Sequence, residues 1–254
     1  MLRGFWKLTW VEIKVFVREP MGVAGSLLIP VVLFVLMGRT IGLNGPVVPN
    51  GVVPNGATRT PSFNVAILAA VLIAIGAVQS LVAIIAIYRE GGILKRLRAT
   101  PLSPVTILGA HVAVKLAFTV VSLLLLVLAG RQLFPGVLQV NVFSFAAALV
   151  LSTLSILSLG FVIASVVPTA RFAQPISAAV LYPMMALSGL FVPLERLPTA
   201  VRGIAHLLPL THSVALLQGV WDGTGWTAHW VNALALLAIF AACTALSTRV
   251  FRWE

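Results

Sequence analysis

Six apolar runs, each long enough to form a helix across a lipid bilayer, alternate with short polar segments along the chain. A membrane-spanning helix needs about 20 mainly apolar residues, and each of these runs comes close to that length or exceeds it. The runs cover residues 23–41, 64–87, 105–130, 142–167, 174–193 and 231–250. This pattern predicts an all-α, polytopic membrane protein with six transmembrane helices.

Residues 1–19 have the periodicity of an amphipathic helix. On a wheel of roughly 100° per residue, basic and apolar side chains separate to different faces. The basic face holds Arg3, Lys7, Lys14 and Arg18, and the apolar face holds Phe5, Trp6, Trp10, Ile13, Phe16 and Val17. We expect this helix to lie in the membrane interface, since the sequence has no soluble domain on which it would pack instead.

The segment 88–104, YREGGILKRLRATPLSP, is the strongly polar stretch between the second and third runs. Gly91 and Gly92 are expected to end the preceding helix, and Thr100 and Pro101 to end a short helical turn. The apolar residues of this turn share one side and the basic residues take the others: Ile93, Leu94 and Leu97 against Lys95, Arg96 and Arg98. Because so short a helix needs a partner surface, the apolar side is expected to dock on another protein or on lipid headgroups.

Within residues 194–230, the stretch 194–221 is too apolar for an ordinary loop, yet Pro198 and Pro209 divide it into pieces too short to span a bilayer. The pattern predicts a re-entrant segment, a pair of helices that lie on, or dip into, the outer leaflet and return. Tryptophan side chains concentrate at membrane interfaces, and three of them lie in the last ten residues of this segment. They are Trp221, Trp226 and Trp230.

Composition agrees with the membrane prediction. The chain is 60% hydrophobic and 9% charged, with a mean hydropathy of +1.08, whereas soluble domains carry about 25% charged residues. The net charge of +11 does not indicate a nucleic-acid partner, because the basic residues flank apolar runs and serve orientation during insertion. The single cysteine, Cys243, excludes an intrachain disulfide.

The distribution of Lys and Arg predicts the orientation. With both termini in the cytoplasm, eleven basic residues lie inside and five outside, with Lys115 near the inner boundary. The positive-inside rule favours this arrangement. It places residues 88–104 in the cytoplasm and residues 194–230 outside.

Common catalytic motifs are absent from the sequence. No lysine follows a glycine, so there is no Walker A element, and GxSxG, HExxH and CxxC do not occur. The acidic residues lie in or beside loops and termini, which argues against proton-coupled transport. An intramembrane enzyme using Ser188 with His206 or His212 is an alternative, although Ser188 has a simpler interpretation as a small packing residue.

Three stretches together resemble the ABC type-2 permeases, and most closely the small daunorubicin-resistance-type permeases. They are REP at residues 18–20, the segment 88–104, and SGLFVPLERLP at 188–198 followed by LLPLTHSVALLQGVW at 207–221. The resemblance covers essentially the whole chain and implies a single transmembrane domain over residues 1–254. It also implies a bacterial plasma membrane and a permease for amphipathic, drug-like or lipid-like molecules, with glycolipid or polysaccharide export as the alternative substrate class.

The resemblance implies partners as well. Residues 1–19 would be the connecting helix, and two cytoplasmic ATPase subunits would bind ATP and Mg²⁺, whereas this chain itself would bind no cofactor and no metal. A second permease copy or paralogue and membrane lipids would complete the assembly. The coupling helix that docks on the ATPase would comprise Arg89, Glu90, Gly91, Gly92, Ile93, Leu94, Lys95, Arg96, Leu97 and Arg98.

Two further sets of residues are candidates for the transport path. The fifth run contains Pro175 and Pro183 and is therefore expected to be bent or broken. Its residues Met184, Leu187 and Phe191 are candidates for a path along the first, second and fifth spans at the permease dimer interface, with ordinary helix packing as the alternative. An outer lid would include Glu195, Arg196, Arg202, His206 and His212, without a role for histidine protonation.

Overall fold

The computed structural model describes residues 2–18, 31–32, 35–36, 65–92, 104–133, 141–167, 169–190 and 194–250. Within these ranges every regular element is a helix, which confirms the predicted all-α class for this part of the chain. The helices are α1 (Leu2–Arg18), α2 (Val65–Glu90), α3 (Pro104–Leu133), α4 (Val142–Val166), α5 (Ala170–Leu187), α6 (Thr199–Ala205), α7 (Pro209–Trp221), α8 (Gly225–Ala228) and α9 (Trp230–Val250). A 3₁₀ turn, Leu194–Arg196, precedes α6.

Three of the described helices are long and apolar enough to cross a membrane. They are Ala66–Glu90, Val142–Val166 and Trp230–Ser247. A fourth crossing is counted if α6 and α7, which are bent by 83° relative to each other, form one broken span. Helices α3 and α5, which hold the third and fifth apolar runs, are not among these three. The first apolar run lies outside the described residues except for 31–32 and 35–36, so six spans stays a prediction.

Helix α4 lies at the centre of the bundle, in contact with α2, α7 and α9. It begins after Asn141, whose Oδ1 accepts hydrogen bonds from the backbone N–H groups of Phe143 at 3.1 Å and Ser144 at 3.3 Å. This is the capping expected of asparagine at a helix start. Phe145 is buried and meets the Trp221 ring edge-on, with 5.5 Å between ring centroids, which attaches α7 to the centre of the bundle.

Three serines spaced three residues apart along α4 are buried. Ser152 and Ser155 are fully buried and Ser158 nearly so, and the Ser158 hydroxyl donates to the Ser155 carbonyl at 2.7 Å. Small side chains at these positions let neighbouring helices approach closely. Cys243 of α9, a free thiol, lies next to Ser158, so this face of α4 packs against α9.

Helix α5 starts earlier and ends earlier than its apolar run. It is continuous through Pro175 and Pro183, so the predicted break does not occur at either residue. Both prolines are exposed, so neither ring has to fit between packed helices of the protomer. The helix ends at Ser188 and Gly189, and Gly189 adopts a left-handed φ of 85°, a conformation that glycine enters without steric cost.

Helix α1 packs along α3 and leaves its tryptophans outside. Trp6 is 72% exposed and Trp10 56% exposed, whereas Thr9 between them is buried. The Lys14 ammonium lies 5.8 Å from the centroid of the Trp10 ring, within the distance of a cation–π contact. The predicted interfacial placement of α1 is compatible with this exposed indole surface.

Candidate functional site

The end of α2 is joined to the ends of two other helices by Arg89. Its Nη1 donates to the carbonyl oxygen of Val167 at 2.7 Å, and its Nη2 donates to the carbonyl oxygen of Ala164 at 2.8 Å. Ala164 is in the last turn of α4, and Val167 is the residue that caps it. Carbonyl groups in the last turn of a helix have no partner within the helix, so the guanidinium group supplies the donors that the helix end lacks.

Glu90, the next residue, makes the complementary contact with α5. Its Oε2 accepts a hydrogen bond from the backbone N–H of Ala170 at 2.9 Å. Ala170 is the first residue of α5, and the preceding N-cap, Thr169, makes no side-chain capping bond of its own. The carboxylate of Glu90 therefore takes the position that a local cap would occupy at this helix start.

Gly91 and Gly92 end α2 as predicted. The Gly91 N–H donates to the Ile87 carbonyl at 2.9 Å, and Gly92 has a left-handed φ of 65°. The other residues of the predicted coupling helix, from Ile93 to Arg98, lie outside the described residues. The structure thus describes only the first four of the ten candidate coupling residues, and it attaches Arg89 and Glu90 to neighbouring helices of the same chain.

The candidate path residues do not share one environment. Met184 is 1% exposed and belongs to the apolar core of the protomer, Leu187 is half-buried, and Phe191 lies outside the described residues. The opposite face of α5 is open: Tyr182 is 60% exposed and Phe172 is 51% exposed. The burial of Met184 favours the packing interpretation for that residue.

The candidate lid residues divide into exposed and internal groups. Arg196 and His206 are exposed, and Glu195 is part of the 3₁₀ turn. Arg202 of α6 donates from Nε to the Leu194 carbonyl at 3.0 Å and from Nη2 to the Leu197 carbonyl at 3.3 Å. Arg202 thereby folds α6 back onto the turn that leads into it.

His212 lies inside the protein and connects three elements. Its ring is 7% exposed. Its Nε2 lies 2.8 Å from the carbonyl oxygen of His206, and its Nδ1 lies 2.9 Å from Oδ1 of Asn232 in α9. Since a carbonyl can only accept, Nε2 carries a proton. In the neutral ring Nδ1 is then an acceptor, so the Asn232 amide has to be turned to present Nδ2 to it, since amide oxygen and nitrogen are assigned from the hydrogen-bond partners.

The hydrogen-bonded chain continues through residues that the sequence analysis did not single out. Asn232 Nδ2 lies 3.3 Å from His229 Nδ1, and His229 Nε2 lies 3.1 Å from the Thr224 hydroxyl. That hydroxyl donates to the Gly219 carbonyl at 2.8 Å. The one sequence feature that could have pointed to this cluster is the polar Asn232 near the start of an apolar run. Its partners could not be predicted, because they depend on the tertiary fold.

Ser188 does not form the dyad that an enzyme would require. Its hydroxyl donates to the Met185 carbonyl of its own helix at 2.8 Å, and both ring nitrogens of His212 bond to other groups. Within the described ranges no hydrogen bond joins Ser188 to a histidine. The same part of the chain contains no group of three or more His, Cys, Asp or Glu side chains able to hold a metal ion.

Comparison with known proteins identifies the family to which the chain is similar. The family model described as ABC-2 type transporter matches residues 3–221, a range that includes α1, the junction at Arg89 and Glu90, and the bent pair of α6 and α7.

Individual relatives match over shorter stretches. The inner membrane transport permease YhhJ of Escherichia coli (strain K12) is 29% identical over 166 residues, which is 65% of this chain and 44% of YhhJ. Nodulation protein J of Neorhizobium galegae is 37% identical over 68 residues, covering 27% of this chain and 26% of that protein. Nodulation protein J of Bradyrhizobium diazoefficiens is 35% identical over 100 residues, covering 37% and 38%. Each alignment therefore spans less than half of the relative's length.

Proposed function

Because the chain belongs to the ABC-2 type transporter family, we propose that it is the membrane-spanning permease subunit of an ATP-driven exporter for amphipathic, drug-like or lipid-like molecules. Members of this family are membrane components of transporters and are not themselves catalytic. ATP and Mg²⁺ would be held by separate cytoplasmic ATPase subunits. A second permease, identical or paralogous, would complete the membrane part.

The arrangement that supports this proposal best is that of the two long helices on either side of residues 91–103. Two long helices, α2 and α3, end at Glu90 and begin at Pro104, and a short segment connects them. The connection combines an apolar side of Ile93, Leu94 and Leu97 with several basic residues. A segment of this kind, fixed at both ends to rigid helices, is suited to receive a movement from a cytoplasmic partner.

In the proposed mechanism, ATP binding closes the ATPase dimer and shifts the coupling segment. The shift moves α2 and α3, because the segment is short and continuous with both helices. The permease then changes its populations of inward-open and outward-open states. The energy of nucleotide binding acts only through the difference in affinity of the ATPase for these states.

The proposed membrane arrangement has six spans and both termini in the cytoplasm. Helices α6 and α7, bent by 83°, would be the re-entrant pair on the outer side and act as a lid, with Arg196 and His206 toward the aqueous boundary. The exposed face of α5 around Tyr182 is the best candidate for the contact with the second permease and for the adjoining path. Met184 would support that face from behind, since its side chain is buried.

Co-purification tests the central claim. An affinity-tagged permease isolated in mild detergent from membranes of its native cells should bring down an ATPase subunit with a Walker A motif, and the complex should hydrolyse ATP. A tagged, unrelated six-span protein from the same membranes is the control. Isolation of the permease without any ATPase under conditions that preserve other ABC transporters would refute the proposal.

A second test concerns the apolar side of the coupling segment. Leu94→Asp and Leu97→Asp should lower ATPase co-purification or nucleotide-driven transport by at least tenfold, because a charge buried without a partner costs several kcal/mol. Lys95→Gln, on another side of the segment, should have a much smaller effect. Normal co-purification and normal transport by both aspartate variants would show that this side does not contact the ATPase.

A further inference from the structure

Arg89 and Glu90 are adjacent residues of opposite charge, and each reaches a different helix end. Arg89 bonds to the carbonyls of Ala164 and Val167, and Glu90 bonds to the N–H of Ala170. We propose that these contacts, here called the junction clamp, make the α4–α5 junction move together with the end of α2. Arg89 and Glu90 would then be positioning residues within the permease, and would not be contacts to the ATPase. The inference rests on the proposed coupling function and adds a second route for the movement.

The signs of the two charges match the helix ends they contact. The C-terminal end of a helix carries a partial negative charge and the N-terminal end a partial positive charge. The cationic guanidinium lies on the last carbonyls of α4, and the anionic carboxylate lies on the first N–H of α5. Exchanging the two residues would therefore place each charge against the wrong helix end, although the net charge of the segment would be unchanged.

The junction has few caps of its own. Val167 has no side-chain donor for the α4 carbonyls, and Thr169 makes no side-chain bond to the start of α5. The caps come instead from residues 75 to 80 positions away in the sequence. Hydrogen bonds to charged groups are stronger than those between neutral groups. The α4–α5 junction is thus tied to α2 by charge-assisted hydrogen bonds from both Arg89 and Glu90.

Two attachment points on successive residues make a firmer connection than one. A single bond would allow α2 to pivot against the junction, whereas contacts to both sides of residues 167–170 resist rotation as well as separation. Beyond the clamp, α5 leads to Ser188 and Gly189 and then to the turn Leu194–Arg196. A displacement of the coupling segment would consequently reach the outer lid through α5, in addition to its effect on α2 and α3.

The first experiment measures the clamp in the permease itself. Hydrogen–deuterium exchange of the purified protein should show at least tenfold faster exchange in the first turn of α5 for Glu90→Ala. Glu90→Gln, which keeps an acceptor oxygen but loses the charge, should fall between the wild type and Glu90→Ala. Arg171→Gln removes an exposed charge from the same turn and is the matched control. Unchanged exchange in Glu90→Ala would overturn the clamp, whether or not an ATPase partner is found.

The second experiment measures transmission. In a Cys243→Ser background, a single Arg196→Cys substitution is labelled from outside by a membrane-impermeant maleimide, with and without ATP and vanadate. In the otherwise unaltered complex the labelling rate should change on nucleotide trapping. The exchange variant, Arg89→Glu combined with Glu90→Arg, should retain the ATPase subunit and lose at least four fifths of that change.

The outcomes separate the proposals. A wild-type permease that brings down no ATPase contradicts the proposed function, and the hydrogen-exchange result then still decides the clamp. An exchange variant that loses the ATPase subunit, with normal hydrogen exchange in α5, assigns Arg89 and Glu90 to the ATPase interface and overturns the inference. A full labelling response in the exchange variant overturns it as well.

Discussion

The Nδ1 atom of His212 lies 2.9 Å from Oδ1 of Asn232, and this contact joins α7 to the start of α9. The other ring nitrogen bonds to the His206 carbonyl at the end of α6. One buried imidazole thus holds both helices of the bent pair against the last long helix of the described chain. Its position suits a structural brace, whereas His206 and Arg196 are exposed.

Removing the brace should destabilise the lid. His212→Ala removes the partner of the His206 carbonyl and one of the two histidine partners of the Asn232 amide, both in part-buried contacts, which costs about 1–3 kcal/mol. The midpoint of thermal unfolding in detergent should fall accordingly. His206→Ala is the matched control because the backbone carbonyl survives the substitution, and its effect should stay within about 0.5 kcal/mol. Equal losses in the two variants would contradict the bracing role.

Any side chain at position 219 should destabilise the protein. An added Cβ would overlap the His229 ring, which packs directly on this part of α7. Gly219→Ala should therefore lower stability by about 1–3 kcal/mol, whereas Gly203→Ala, where a Cβ meets nothing within 4 Å, should be neutral or slightly stabilising.

A double substitution checks the stated cause at Gly219. If the overlap with His229 is responsible, Gly219→Ala combined with His229→Ala should be less destabilised than the sum of the two single variants. Additive losses, measured by the same unfolding midpoints, would mean that the alanine acts on some other neighbour.

In the turn after α2, substitution of Gly92 should be more damaging than substitution of Gly91. Gly92 has a φ of 65°, in the left-handed region, where a residue with a Cβ costs about 1–2 kcal/mol. Gly92→Ala should lower the stability of the turn by about that amount and reduce nucleotide-driven transport. Gly91→Ala, where the backbone is not left-handed, serves as the control. A larger effect at Gly91 would show that the direction in which the segment leaves α2 is set by other residues.

The two faces of α5 should respond differently to truncation. Met184→Ala removes a buried side chain and should cost about 2–5 kcal/mol of folding stability. Tyr182→Ala, on the exposed face, should leave the unfolding midpoint of the monomer nearly unchanged and weaken association of two permeases, measured by cross-linking in membranes. Equal stability of both variants would argue against the packing assigned to Met184.

Local signals in the sequence were sufficient to predict the all-α fold class and the positions of several helix ends. The apolar runs and the low charge predicted membrane helices, and the glycines at 91 and 92 marked the end of α2. These features depend on a few neighbouring residues, so they can be recognised without knowledge of the fold. The break predicted in α5 does not occur: the helix continues through Pro175 and Pro183, whose exposed rings do not have to fit between packed helices.

Contacts across the chain were decided only by the tertiary structure. Nothing local to Arg89 and Glu90 indicates that they cap helix ends 75 to 80 residues away. The sequence also does not show which side of a membrane helix faces the protein interior. In α9, Leu236 is fully buried, whereas Leu234 is 53% and Leu237 49% exposed. In water such leucines would separate from polar residues on opposite faces, but in a bilayer both the lipid and the protein interior are apolar. The same residue type therefore suits either side, and only helix packing determines which leucine is buried.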